Sequence, residues 1–243
     1  MIEHRVDDGV GRVHLNDPAR RNALSRELSD ALGDAVAAVL SGGAGAIVLT
    51  AEAPVFCSGG VLEDLITPRG PLSEAYAGFT ALAEAPVPTI AVVTGPAIGA
   101  GVNLPLACDV VIAGRSASFD PRFLDVGIHP GGGHLHRLER RVGRQGAVAL
   151  VLCGDILDGE EAARAGLAWR CVEDDDALDV GLRLARRAAG RDRELVARTK
   201  VTLDTPTDDP FALELEAQQW SVDRPGFAAG VQAIKDRLDR RKR

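Results

Sequence analysis

Two short runs have the residue types to hold a developing negative charge with main-chain groups alone. Phe56-Cys57-Ser58-Gly59-Gly60 comes shortly after the apolar run 46–50, and Thr94-Gly95-Pro96-Ala97-Ile98-Gly99-Ala100-Gly101 directly follows the apolar run 89–93. Glycines let a ligand approach the backbone closely. A helix opening at the second run leaves N–H groups without intrahelical partners. Such donors, with a helix dipole behind them, suit an oxyanion or a phosphate. His129, His134 and His136 surround the Pro130-Gly131-Gly132-Gly133 turn and bring imidazoles that titrate near neutrality. No carboxylate lies within that cluster and the H-E-x-x-H spacing is absent, so no metal site is expected.

These turns need strands and helices to aim them. Val10 to Leu15 alternates and reads as a strand. Ser25 is placed to cap a helix whose stripe is Leu28, Ala31, Leu32, Ala35, Val36, Val39 and Leu40, with Glu27 in the first turn and Gly42-Gly43 at its end. Residues 46–50 (AIVLT) and 89–93 (TIAVV) read as buried strands, with a helix over 72–85 between them. Residues 99–107 read as a short helix and 110–113 as a strand. Asp158 and Glu161 have capping-box spacing, and 168–172 reads as one more strand. Strands alternating with helices predict α/β architecture. From Ala177 onward the pattern is helical, which divides the chain into a core over 1–176 and a helical region over 177–243.

The composition suits a globular fold. The chain has 243 residues, 46% of them hydrophobic and 26% charged, enough for one sizeable core. A net charge of −7 argues against a nucleic-acid binder, which needs a broad basic face. The basic run over 235–243 (Lys235, Arg237, Arg240, Arg241, Lys242, Arg243) reads either as a solvated helix end or as a phosphate contact across a subunit boundary. No apolar stretch reaches about 18 residues, so no membrane span is expected. The four cysteines form no C-x-x-C pair and no leader-like run opens the chain, which reads as a cytoplasmic protein with reduced thiols.

The second glycine run alone resembles the T-G-x-x-x-G-x-G pattern of short-chain dehydrogenases. That family places the motif after its first strand and needs a Tyr-x-x-x-Lys pair, whereas Tyr76 is the only tyrosine here and Thr80 stands four residues on. No Lys-Ser/Thr follows the run either, as a phosphate loop would require. Taken together, the two runs resemble the enoyl-CoA hydratase/isomerase (crotonase) family. Asn16 to Leu24 is similar to its N-x-P-x-x-x-N-A-L segment, and 46–60 to its strand followed by F-C-x-G. Residues 88–113 are similar to its glycine block ending in Cys108-Asp109, and 119–143 to its F-to-G-x-x-P-G-G-G block. Leu157 to Ala168 and Arg224 to Arg237 are similar to its later helices. Six weak matches in the family's order make a specific resemblance.

The resemblance implies a crotonase-type ββα spiral with a helical C-terminal oligomerisation region, in homotrimers or homohexamers. It implies an acyl-CoA thioester as ligand, with CoA entering as part of the substrate and no separate cofactor. It places the oxyanion donors at the backbone of Gly60 and Ala100. It places CoA contacts at Arg21, Ala23, Leu24, Cys57, Gly59 and Gly60, with Arg20 or Arg21 toward the phosphates. Hydratases of the family work with two glutamates. The matching positions here are Asn103 and Phe123, neither of which carries protons near neutral pH, and Val61 stands where the family has Asp. Two-glutamate hydration is therefore not expected. Displaced acid–base groups are sought among His129, Asp125, Asp120 and His134, then Glu63 and Asp64. The alternatives are a non-catalytic acyl-CoA carrier or a regulatory or assembly subunit.

Overall fold

The structure, a computed structural model, describes residues 1–67 and 70–240, apart from the Leu65 side chain. Arg241, Lys242 and Arg243 of the terminal basic run lie outside the described residues. The strands are β1 (Ile2–Asp7), β2 (Val10–Leu15), β3 (Ala46–Ala51), β4 (Thr89–Val93), β5 (Pro96–Ile98), β6 (Val110–Gly114), β7 (Ser118–Asp120), β8 (Leu157–Asp158) and β9 (Arg170–Val172). The helices are α1 (Arg26–Ser41), α2 (Leu62–Ile66), α3 (Ala77–Glu84), α4 (Asn103–Ala107), α5 (His134–Leu152), α6 (Gly159–Ala165), α7 (Asp174–Ala189), α8 (Arg193–Asp204), α9 (Pro210–Val222) and α10 (Phe227–Arg240). Short 3-10 turns lie at Leu72–Tyr76, Gly99–Val102 and Leu124–Val126.

One sheet has the order β1-β2-β3-β4-β6-β9 and a smaller one the order β5-β7-β8. The hairpin β1–β2 is antiparallel, and from β2 to β9 the larger sheet is parallel. A parallel sheet covered on both faces needs continuous apolar strands, and β3, β4 and β6 provide them. Their alternation divides the core. Ile47, Leu49, Ala91, Val93, Val111 and Ala113 face a cluster that includes α1 and α3. Ala46, Val48, Ile90, Val92 and Ile112 face a second cluster closed by Ala177, Val180, Leu182 and Ala185 of α7.

That packing moves the boundary expected at 176/177. The compact units are Met1–Arg191 and Asp192–Arg243, because α7 completes the cover of the sheet. Its approach is close: a Cβ at Gly181 would stand 2.5 Å from Cγ2 of Val92. The helical pattern from Ala177 onward is real, but its first helix is core. Within the second unit, Asp192 caps α8 at Leu195 N, and Arg224 reaches Asp192 at 2.8 Å.

The caps expected from sequence form. Ser25 Oγ accepts from Leu28 N at 3.1 Å, and Asp158 with Glu161 closes a full capping box on α6. The helix α5 was not expected. It is broken at Gly143, whose φ of 70° and ψ of 170° interrupt the helical run and its period.

The two glycine turns sit side by side because β5 takes up the first one. Cys57 bridges Ala97 in parallel, with Ile98 N donating to Cys57 O at 2.9 Å. A Cβ on Gly101 would lie 2.4 Å from Cys57 O, so only glycine permits that crossing. Gly101→Ala is therefore expected to destabilise the fold by about 2–3 kcal/mol. Gly33→Ala, in α1 with nothing within 4 Å of the added carbon, should instead stabilise it by about 0.7 kcal/mol. Urea midpoints at unchanged slope measure both. A Gly101→Ala midpoint equal to wild type would remove the close approach as a constraint.

Candidate functional site

A loop, two turns and a helix start meet at one cavity. Asn22, buried and left-handed at φ 52°, donates from Nδ2 to Glu52 O at 2.9 Å and Val55 O at 2.8 Å. Its Oδ1 accepts from Asp17 N at 2.8 Å. This amide fastens the loop 17–24 to the segment before the first glycine turn. The attachment continues with Ser58 N donating to Arg21 O at 3.0 Å and Leu24 N to Gly59 O at 2.8 Å. Asparagine tolerates the left-handed conformation and can serve three backbone groups at once.

The cavity holds about 460 Å³. Gly59, Gly60 and Val61 form one wall, and Ile98, Gly99, Ala100 and Asn103 another. Gly59, at φ 93°, lies so close to the second turn that a Cβ there would be 2.7 Å from Ile98 O and 3.5 Å from Ala100 N. Ala100 is the second residue of its 3-10 turn, so its N–H precedes the first intrahelical bond. Among the described residues, the N–H groups of Gly60 and Ala100 meet no hydrogen-bond acceptor. Two unclaimed backbone donors thus border one space.

Position 103 is tied to a buried histidine. His134 Nδ1 lies 2.7 Å from Asn103 Oδ1, and Asn103 Nδ2 donates to Gly131 O at 3.3 Å. Phe123, 8% exposed, also lines the cavity and packs edge-on against the His134 ring at 4.8 Å between centroids. Burial holds the His134 pKa down to about 4, so the ring is neutral at pH 7. Its Nε2 has no partner among the described residues.

The enoyl-CoA hydratase/isomerase family model matches residues 5–232. The chain belongs to this family. It is 40% identical to a Mycobacterium tuberculosis protein named "probable enoyl-CoA hydratase", over 96% of each chain. It is 34% identical to a Rhodobacter capsulatus protein of the same name, over 97% of this chain and 95% of the relative. Solved structures agree on the crotonase-type fold. Human enoyl coenzyme A hydratase domain-containing protein 3 superposes with a TM-score of 0.88 at 26% identity, over 97% of each chain. An enoyl-CoA hydratase of Mycobacterium smegmatis gives 0.87 at 26%, over 97% of this chain and 96% of its own.

Within this family frame, Gly59, Gly60, Ala100, Arg21, Leu24, Asn103, Phe123 and His129 all line the cavity, as does Asp64. Asp125 does not; it is exposed in the Leu124–Val126 turn. Ala23 lies off the lining, and so does Cys57, which is fully buried with its thiol pushed up to about 12 by loss of solvation. Asp120 is buried beneath Arg122, which donates to it from Nε at 2.8 Å. Glu63 is exposed and off the lining. Among the described residues no His, Cys, Asp or Glu group is arranged to hold a metal, and no helix is long and apolar enough to cross a membrane.

Three features of the lining had no signal in the sequence. The Arg26–Glu74 ion pair joins residues 48 apart and both line the cavity. Tyr76, whose hydroxyl lies against Gly131, lines it too. The bond between Asn103 and His134 spans 31 positions.

The depressed His134 pKa makes stability depend on pH. The unfolded chain binds a proton near pH 6.5, while the folded site stays neutral to about pH 4. Stability is therefore complete above pH 6.5 and falls as pH drops through that window, by at most roughly 3 kcal/mol. Between pH 6.5 and 5 the wild type should lose about 2 kcal/mol more than His134→Gln. Urea midpoints at both pH values test it, and equal losses would mean that the imidazole protonates freely in the fold.

Proposed function

We propose that the chain binds an acyl-CoA thioester in this cavity and holds the thioester oxygen on the N–H groups of Gly60 and Ala100. The observation carrying this reading is the pair of unclaimed backbone donors on facing turns locked together at Gly59 and Gly101. A thioester that loses an α-proton becomes an enolate, and each fixed donor is worth on the order of 3 kcal/mol to it. Arg21, Leu24 and Gly59 line the same space and would contact the CoA portion. CoA enters as part of the substrate, and the chemistry needs no separate cofactor.

Asn103 and Phe123 cannot supply the acid and base for adding water. His129 is the proton carrier in this reading. It lines the cavity, and its Nδ1 lies 2.7 Å from Pro130 O. A carbonyl only accepts, so Nδ1 bears a proton, and the neutral tautomer that does so has its lone pair on Nε2. From a 3-enoyl thioester, Nε2 would take the α-proton and the electron pair would move onto the thioester oxygen as a dienolate. Returning the proton to the γ-carbon gives the conjugated 2-enoyl thioester. Every atom is conserved, and no water is consumed. The apolar and amide groups at 123 and 103 favour one other reading, a non-catalytic acyl-CoA carrier or a regulatory or assembly subunit. The second unit exposes Val201, Leu203 and Phe211 at 63%, 72% and 76%, which supports a role in joining copies into a homotrimer or homohexamer.

Crotonyl-CoA and trans-3-hexenoyl-CoA separate these readings. Conjugated-thioester absorbance should rise with the 3-enoyl substrate and stay constant with crotonyl-CoA. Gly60→Pro removes one donor and should slow the rise at least about 100-fold. Gly60→Ala keeps the N–H, and its added carbon meets nothing within 4 Å, so it should react as wild type. A Gly60→Pro rate equal to wild type would sink the donor assignment. Calorimetric binding of both thioesters without turnover would favour the carrier, and no binding would end the thioester reading.

A further inference from the structure

Aromatic residues are scarce in this chain, yet the cavity collects them. Of its six phenylalanines and single tyrosine, Tyr76, Phe79 and Phe123 line this one space. They come from separate elements. Tyr76 closes the Leu72–Tyr76 turn, Phe79 lies in α3, and Phe123 precedes the Leu124–Val126 turn. Tyr76 and Phe79 are three residues apart where the turn runs into the helix, which sets their side chains on one side. Their ring centroids are 5.2 Å apart with the planes tilted by 38°. Rings at that separation attract each other beyond the area they bury.

Bare main chain seats the pair. A Cβ at Gly131 would stand 2.4 Å from the Tyr76 hydroxyl oxygen, and one at Gly132 would stand 2.5 Å from Phe79 Cζ. Two successive glycines therefore admit the two ring tips, and a side chain at either would push a ring away. Phe79 is 1% exposed, and Phe123 packs edge-on against His134. Rings held in this way have already given up their rotamer freedom, so a ligand that meets them loses little in ordering them.

The charged groups of the lining are largely engaged with one another, Arg26 with Glu74 and Arg122 with Asp120. Leu24, Val61, Ile98 and Ile128 add aliphatic surface. By area alone such a lining suits any acyl chain. Area does not account for the ring content. An alkyl chain against aromatic rings gains burial only, and each carbon it fixes gives up a rotor. A phenyl group is flat and has few rotors, and its edge hydrogens are attracted to the electron-rich faces of other rings.

We infer that the cavity favours acyl-CoA thioesters whose acyl group ends in an aromatic ring over those with open-chain or saturated-ring ends. This rests on the thioester reading above and leaves its proton chemistry unchanged. Tyr76, Phe79 and Phe123 are the specificity-determining residues.

The calorimetric probes are 4-phenylbutanoyl-CoA and 4-cyclohexylbutanoyl-CoA, with butyryl-CoA as the control without a ring. None carries a double bond in its acyl chain, so binding is read without turnover. The two ring probes match in carbon count and chain length. The saturated ring has at least as much apolar surface, so burial alone would give it equal or tighter binding. Wild type should bind the phenyl probe about fivefold tighter. The double variant Tyr76→Leu/Phe123→Leu keeps apolar bulk without two of the rings and should bring that ratio toward one. Equal wild-type affinities, or tighter binding of the cyclohexyl probe, would overturn the inference, and that comparison needs no folded variant. An undiminished ratio in the folded double variant would overturn it as well. Butyryl-CoA binding with neither ring probe bound would overturn it while leaving the thioester reading intact. If none of the three binds, the thioester reading fails and this one with it.

Discussion

The site depends on one steric fact: two polypeptide turns cross with no room for a side chain between them. Cys57 O lies where a Cβ of residue 101 would be, and Ile98 O where a Cβ of residue 59 would be. Main chain therefore packs on main chain. The crossing is held by the ladder between Cys57 and Ala97 on one side and by the Leu24–Gly60 bridge on the other. Gly60 and Ala100 are left beside the same cavity, and among the described residues their N–H groups meet no acceptor. The sheet beneath works as a rigid mount. Its strands bury apolar side chains on both faces, so the turns leaving β3 and β4 have little freedom to drift.

Backbone donors make this platform independent of which side chains surround it. Any residue except proline has an N–H, so the side chains around the donors are free to vary without dismantling them. In this chain the lining around them includes an amide at Asn103 and a phenyl ring at Phe123. What remains polar near the mouth is largely engaged elsewhere: Arg26 with Glu74, and Arg122 with Asp120. His129 differs, because among the described residues its bond is to a neighbouring carbonyl through Nδ1. A site so built keeps its backbone donors fixed while several charged side chains at its mouth are paired with one another.

Much of this was legible in the sequence where the signal is local. The α1 stripe, the Ser25 cap, the Asp158–Glu161 box and the apolar strands each occupy a short window with its own period or spacing. The glycine runs were legible as well, because close approach and positive φ demand a residue type. Two kinds of feature were not. The boundary at 176/177 was drawn where helical periodicity begins, but periodicity does not tell whether a helix packs on the sheet, and α7 does. The short strands β5 and β7, three residues each, are too brief to show alternation. Contacts between distant segments had no signal either, which is why the Arg26–Glu74 pair and the Asn103–His134 bond emerged only in three dimensions.

The residues at 103 and 123 are also not independent of each other. Both touch His134, one by hydrogen bond and one by ring packing. A glutamate at 103 would set a carboxylate against an imidazole that burial keeps neutral. Either the ring would take up a proton to form an ion pair, or the carboxyl would keep its own. Phe123 supplies much of the apolar surroundings that make the first choice costly. A carboxylate at 123 would change that balance and lower the cost at 103. The two substitutions are thus coupled through the histidine, and their separate effects should not sum. The amide and the phenyl ring thus answer to one neighbour, and His134 is the residue through which a change at either position is felt at the other.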